Sequence, residues 1–332
     1  MAHMPLRRNN MQTKTFAFTP DFKERLINEI QPGYQSLISP VRLYFKGQAG
    51  LNIHFIADIQ ENEQAALIIM PGWAETGIRY AELIHNLKPY NLSTYIMDHR
   101  GMGFSERIPN SDPQRTHIDS FQNYISDMKQ FIDTIVCAKP HNNIYLLAHS
   151  FGGLVSSHYL AQEPHKISAA VLSSPLLEIS NGLLKEPIIH TLALAKERIG
   201  QGSKYALGQT APKAIEQFTD ANTHSYDRWA LWQSILQENP EISLGGMTWH
   251  WLAAAITAAQ YARDIGNKIV TPTLLFQAGQ DTMAPAHGQN VFCKNAGIEK
   301  RVFPNAKHEL LQETDDIRNF AISEALSFLG IR

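Results

Sequence analysis

A chain of 332 residues is long enough for one large α/β domain with an insertion, or for two modest domains, and its 44% hydrophobic and 18% charged residues are ordinary for a globular protein. A net charge of −2 and an isoelectric point near 6.7 exclude the basic excess or stripe that a nucleic-acid partner calls for.

The first residues, MAHMPLRRNNMQTKTF, are polar and lack the apolar centre of a secretory signal; residues 1–3 read as an expression remnant, with Met4 or Met11 as the natural start. VRLYF (41–45) and LNIHFIADI (51–59) flank the turn KGQAG and predict an antiparallel hairpin. AALIIM (65–70) is a continuous apolar run ending at Pro71-Gly72, and IRYAELIHNLK (78–88) has helical spacing. LSTYIMD (92–98) is the next strand, and FQNYISDMKQFIDTIV (121–136) is an amphipathic helix. NIYLLAH (143–149) and ISAAVLSS (167–174) read as strands on either side of the helix FGGLVSSHYLAQ (151–162).

From about Pro175 to Asn267 the rhythm breaks into helical, aromatic-rich sequence. Strand grammar resumes at TPTLLFQAG (271–279), followed by a helix near 285–295, the strand KRVF (300–303) and the helix DDIRNFAISEALSFL (315–329). Strands alternating with helices imply a mostly parallel sheet of eight strands with helices on both faces. Residues 1–175 and 265–332 are assigned to this core, and residues 176–264 to an inserted helical cap. No run approaches the roughly 18 apolar residues of a membrane span. Cys137 and Cys293 have no metal-like spacing and read as free thiols of a reducing compartment, so the expected location is cytoplasmic, with at most a peripheral contact to the inner membrane.

A hydroxyl nucleophile needs a base, a group to orient that base, and donors for the oxyanion. Ser150, in LLAHSFGG (146–153), sits where a strand meets a helix, with small residues two before and two after, Ala148 and Gly152. Ala148 replaces the usual first glycine of GxSxG, and a serine that merely caps the next helix is the plain alternative. Asp281, in GQDTMAP, follows a strand and could orient a histidine; a turn or helix-cap aspartate is the alternative, and Asp264 precedes the strand on the wrong side. His308 follows the last strand, giving the order Ser, Asp, His; His287 is the rival base, and His149, beside the serine, is expected to point elsewhere. HELLQ (308–312) lacks the second histidine of a zinc HExxH motif, so no metal site is assigned. Backbone N–H groups of Phe151 and of Trp73, the residue after Pro71-Gly72, are the expected oxyanion donors, with Phe151 valued for its N–H more than its ring. MDHRGMGFSER (97–107) fits no phosphate-binding pattern and reads as a tight loop at the site's rim.

PGWAETGIRYAEL (71–83), DHRGMGFSER (98–107), LLAHSFGG (146–153), QAGQD (277–281) and NAKHELLQE (305–313) together resemble the α/β-hydrolase superfamily, and within it the monoglyceride lipase and bacterial lysophospholipase branch grouped with serine aminopeptidase-like hydrolases. PG-x-x-E stands where monoglyceride lipases carry HG. The resemblance covers roughly residues 40–175 and 265–330. It implies Ser150 as nucleophile, His308 as base, Asp281 as orienting acid, the Trp73 and Phe151 N–H groups as oxyanion donors, an elbow of Ala148, His149 and Gly152, and no cofactor or metal.

Four of the five tryptophans, Trp229, Trp232, Trp249 and Trp251, fall in the cap, where one of each pair can serve the cap's own core and the other line a cleft. The expected activity is hydrolysis of an ester with one acyl chain, a lysophospholipid or monoacylglycerol. The expected partner is this small lipid-like substrate, with weak membrane contact and no nucleic acid. Three other readings remain open: an amide hydrolase whose cleft carboxylate comes from Glu186, Glu197, Glu216 or Asp220, a short-chain carboxylesterase, and a non-catalytic binding protein on the same fold.

Overall fold

The computed structural model describes residues 16–31, 42–108, 112–179, 184–212 and 216–332, except the side chains of Glu29 and Asp220. The expected remnant at 1–3 and Val41 of the first predicted strand lie outside the described residues. Among the described residues, eight strands form one sheet: β1 Leu43–Lys46, β2 Asn52–Asp58, β3 Ala65–Met70, β4 Leu92–Met97, β5 Ile144–His149, β6 Ala169–Ser173, β7 Thr273–Ala278 and β8 Glu299–Phe303. Their order is β1-β2-β4-β3-β5-β6-β7-β8, and β2 alone runs against the rest. The helices are α1 Pro20–Arg25, α2 Ala81–Leu87, α3 Phe121–Thr134, α4 Ser150–Gln162, α5 Glu186–Arg198, α6 Tyr226–Glu238, α7 Trp249–Ile265, α8 Ala286–Ala296 and α9 Asp315–Leu329.

Every residue of β3, β4, β6 and β7 is buried, which is why these strands read as unbroken apolar runs instead of alternating ones. Alternation survives in which face each side chain serves. Ala66, Ile68 and Met70 join one core cluster with residues of α3, α4 and α7, while Ala65, Leu67 and Ile69 join a second with residues of α1, α2, α6 and α9. β3 lies between β4 and β5, so the chain leaves it to one side and then returns to the other. Such a reversal opens a crevice at the carboxyl ends of the strands, where ligands of open α/β sheets bind.

The stretch between β6 and β7 does not pack as one block. α7 joins the main cluster through Trp251, Ala255 and Ala259, and the Trp251 indole donates to Tyr124 Oη of α3 at 3.0 Å. α5 packs along α7, joined by the Glu186–Arg263 ion pair at 2.7 Å. α6 lies across the opposite face of the sheet. There the buried Arg228 forks onto Glu82 of α2 at 2.6 and 2.8 Å and reaches Asp315 of α9 at 2.6 Å. The tryptophans divide accordingly. Trp251 is core and Trp249 borders a cavity. Trp229 closes a small cluster with Phe16, Phe18 and Phe218, and Trp232 lies against the Arg79 guanidinium at 4.9 Å.

Removing one member of a buried ion cluster leaves its partner uncompensated, at a cost of about 3–5 kcal/mol. Arg228→Ala is therefore expected to lower the unfolding free energy by about that amount. Urea titration checks it, and a change below about 1 kcal/mol, the size of a surface pair, would contradict the role given to this cluster.

Candidate active site

β5 is six residues of inward-packed strand, and its last residue, His149, is the cap of α4. Ser150 is the first helical residue and has φ +50°, a left-handed conformation that a non-glycine residue adopts only when its surroundings impose it. They do so here by close approach. A Cβ on Gly152 would lie 2.4 Å from the Met70 carbonyl oxygen and 2.5 Å from that of Pro71, so α4 can begin this close to β3 only without a side chain there. Ala148, within β5, pairs with Met70 and needs only to be small. The N-cap of α4 is His149 and Ser150 is already the first helical residue, so the plain alternative of a capping serine does not hold.

The structure brings Ser150, His308 and Asp281 together. His308 Nδ1–H donates to Asp281 Oδ2 at 2.8 Å, which leaves Nε2 to accept from Ser150 Oγ–H, also at 2.8 Å. The other carboxylate oxygen, Asp281 Oδ1, accepts the N–H groups of Met283 and Ala284 at 2.8 and 2.9 Å. Asp281 is thus both a turn aspartate and the partner of a histidine. The loops after β7 and β8 are sewn together by Gly279 N–H to Phe303 O at 2.8 Å and Gln280 N–H to Ala306 O at 2.9 Å. A Cβ on Gly279 would meet Pro304 O at 2.4 Å. The rival groups lie elsewhere: His287 is exposed and pairs with Glu178 at 2.7 Å, and Asp264 is exposed near the end of α7.

Register places the segment after β3 beside the elbow. Trp73 and Ser150 border the same cavity, and the Trp73 indole N–H is held by Thr116 Oγ1 at 3.0 Å. Phe151 is in the first turn of α4, where backbone N–H groups have no intrahelical acceptor and the helix end carries positive potential. Its ring is more than a spectator. It is fully buried between His99, Tyr124 and Trp251, with ring centres 5.0, 4.9 and 5.3 Å away, and so anchors the elbow to α3 and α7.

The loop 97–107 braces the segment after β3. Asp98 accepts Gly77 N–H at 2.7 Å, Thr76 Oγ–H at 2.8 Å and Phe104 N–H at 2.9 Å, while His99 Nε2–H donates to Pro71 O at 3.0 Å. His149 departs from expectation. It points into the site, buried, with its ring centre 4.9 Å from that of His308 and Nδ1 3.3 Å from Ser173 O. The cause is packing: β5 ends between β3 and β6, and Gly72 leaves room for the imidazole.

Beneath the site lies a charged network that sequence reasoning missed. Glu75 Oε2 accepts Gly72 N–H at 2.7 Å and Tyr80 Oη–H at 2.6 Å, while Oε1 pairs with Arg79. The same guanidinium reaches Glu309, next to His308, at 2.5 Å. Burial pushes the Glu75 carboxyl up, but Arg79 and its hydrogen-bond donors outweigh this and hold it at about 2. Burial keeps Glu309 raised. Glu75 and Arg79 are four residues apart, but Glu75 precedes the short helical turn Gly77–Tyr80, so neither this pair nor the link to residue 309 was marked by a helical pattern.

The cavity beside Ser150 has a volume of about 180 Å³ and walls from Trp73, Leu176, Ile189, Met247, Trp249 and Leu252. Of the carboxylates considered for an amide hydrolase, the three whose side chains are described, Glu186, Glu197 and Glu216, do not border it. Glu186 is tied to Arg263 and to Ile179 N–H, Glu197 pairs with His250 on another groove, Glu216 is exposed, and the side chain of Asp220 lies outside the described residues.

A mostly parallel sheet with helices on both faces, a serine on a left-handed elbow and a histidine–aspartate pair from later loops define an α/β-hydrolase. Residues 61–315 match the family described as Serine aminopeptidase, S33. The chain belongs to that family. It is 30% identical over 326 residues to a probable lysophospholipase L2 of Haemophilus influenzae, covering 94% of this chain and 98% of that protein. It is 29% identical to the lysophospholipase L2 of Escherichia coli K12, covering 86% of each. A monoglyceride lipase of Saccharomyces cerevisiae, solved with a substrate analogue, shares the fold with a TM-score of 0.67 at 15% identity, covering 89% of this chain and 97% of that one.

Burial lowers both His99 and His149 from 6.5 to about 4. Between those values the unfolded chain binds protons that the folded protein refuses, so stability must fall as pH falls. The slope is up to ~1.4 kcal/mol per pH unit for each ring. Glu75, held near 2 against 4.5, extends the loss below pH 4.5. Urea midpoints at pH 7.5 and 5.5 test this, and equal unfolding free energies would show that the buried rings titrate normally.

Proposed function

We propose that the protein is a serine hydrolase that cleaves carboxylic esters carrying a single acyl chain, with lysophospholipids and monoacylglycerols as its substrate class. The observation that carries this reading is the hydrogen-bonded chain Ser150–His308–Asp281 opening directly onto an apolar cavity. Ser150 Oγ attacks the acyl carbonyl carbon while His308 Nε2 takes its proton, and Asp281 stabilises the imidazolium. The N–H groups of Trp73 and Phe151 receive the oxyanion. The tetrahedral adduct collapses as His308 returns the proton to the departing glycerol or glycerophosphodiester oxygen. Water, deprotonated by the same ring, then releases the fatty acid and restores the serine.

The walls named above fit an acyl chain, and they leave the head group at the mouth. Leu207 and Met283 border that mouth and are 72% and 38% exposed, which supports a weak apolar contact with a lipid surface. Free Cys137 and Cys293 fit a reducing, cytoplasmic setting. Among the described residues no helix is long and apolar enough to cross a membrane. The names of the relatives, lysophospholipase and monoglyceride lipase, support the same substrate class.

Ser150→Ala is expected to reduce kcat on a nitrophenyl ester by at least ~10⁴-fold while leaving the fold intact. A panel of nitrophenyl esters of rising chain length, a lysophospholipid, a monoacylglycerol and an aminoacyl amide then tests the substrate class. Preference for the lipid esters is the expected result. Preference for the amide would overturn the lipid reading, and preference for the shortest ester would reduce it to a general esterase.

A further inference from the structure

The loop that carries His308 has little regular structure of its own, and one side of it is laced to a short stretch of the insertion. Lys307 Nζ donates to Ala221 O at 3.0 Å, Glu309 N–H to Asn222 O at 3.0 Å, and Thr223 Oγ–H to Gln312 O at 2.7 Å. At the centre is Glu313, whose side chain is fully buried. Its Oε1 accepts Lys307 N–H at 2.9 Å and His224 Nδ1–H at 2.9 Å. Its Oε2 accepts His224 N–H at 3.1 Å and Thr314 N–H at 3.0 Å. The residues on both sides of His308 therefore take their backbone partners from Glu313 and from residue 222.

We propose that Glu313 is a positioning residue for His308, acting with residues 221–224 as a strap that makes the insertion part of the reaction's geometry. The proposal rests on His308 being the base. A carboxylate is the side chain suited to this place, because it is acceptor-only and offers about four lone-pair sites, all used here. A glutamine would turn an NH₂ group toward at least one N–H donor. Residues 221–224 and Glu313 are absent from the cavity's walls, so the strap acts on alignment and leaves binding of the acyl chain alone. Small displacements of a reacting group, on the order of 1 Å, cost up to about 10²-fold in rate.

The test compares Glu313→Gln, His224→Ala, His224→Asn and Ser150→Ala on nitrophenyl butyrate, with active sites counted by end-point labelling with a fluorophosphonate. Glu313→Gln and His224→Ala should lower kcat per labelled site by about 10-fold or more, with KM within about twofold. His224→Asn, whose amide N–H can stand where Nδ1–H stood, should recover to within about threefold of the parent. His224→Ala keeps the question open to measurement even where Glu313→Gln fails to fold, since His224 is partly exposed. If kcat per labelled site is unchanged in His224→Ala, or if KM rises instead, the strap is only structural or substrate-shaping and the proposal is overturned. Ser150→Ala separates the two layers: an inactive Ser150→Ala beside a fully active His224→Ala removes the strap alone, whereas an active Ser150→Ala removes the serine mechanism and the strap with it.

Discussion

The whole arrangement hangs on one close approach, that of Gly152 to the carbonyl oxygens of Met70 and Pro71. Because α4 starts this near to β3, the turn from β5 has to pass through a left-handed residue, and that residue is Ser150. Such a backbone costs on the order of 1–3 kcal/mol and persists only where its surroundings over-determine it. Phe151, Leu154 and Val155, all fully buried, supply that constraint, and Leu176 N–H ties down Ser150 O at 3.0 Å. The other parts follow from the same geometry. The segment after β3 runs alongside the first turn of α4, the helix end faces the serine, and the loops after β7 and β8 are stitched to each other where they reach it.

The charge beneath this frame fixes backbone. Glu75 holds the Gly72 amide, Arg79 holds Glu75 and Glu309, and Trp232 of α6 lies against Arg79. The segment after β3 and the loop of His308 are thus joined through one guanidinium, whose fixed fork suits two carboxylates at once. His149, packed beside His308, has its affinity for protons cut by burial, so a neutral ring faces His308.

The sheet was legible because buried parallel strands leave continuous apolar runs bounded by turn residues. All eight appear within a few residues of the sequence expectation, β8 gaining Glu299 as an exposed edge residue. Ser150, Asp281 and His308 were legible as residue types after strands in a recognisable order, and geometry then removed the alternatives of capping serine and rival histidine. Ala148 counted against the motif, yet the elbow's demand for a missing side chain falls on Gly152. What stayed hidden depends on contacts distant in sequence. Arg228 meets Glu82 across 146 positions, and Arg79 meets Glu309 across 230. No local pattern encodes such pairs, and the orientation of His149 depended on the room left by Gly72.

The insertion illustrates the same limit and also its consequence. Read as sequence it is one helical stretch rich in tryptophan, which suggests one cap with one purpose. In space its two parts lie on opposite faces of the sheet. α5 and α7 pack with the main core and border the cavity through Ile189, Trp249 and Leu252. α6 and the residues before it are bound to α2, α9 and the loop of His308 through buried ion pairs and hydrogen bonds. A buried carboxylate or guanidinium released from such a cluster would lose partners that water could replace only by entering the core, so this half is tied to the elements it touches. The side chains that wall the cavity and those that hold the loop of His308 therefore belong to different stretches of one insertion, and a substitution that reshapes the cavity wall need not disturb that loop.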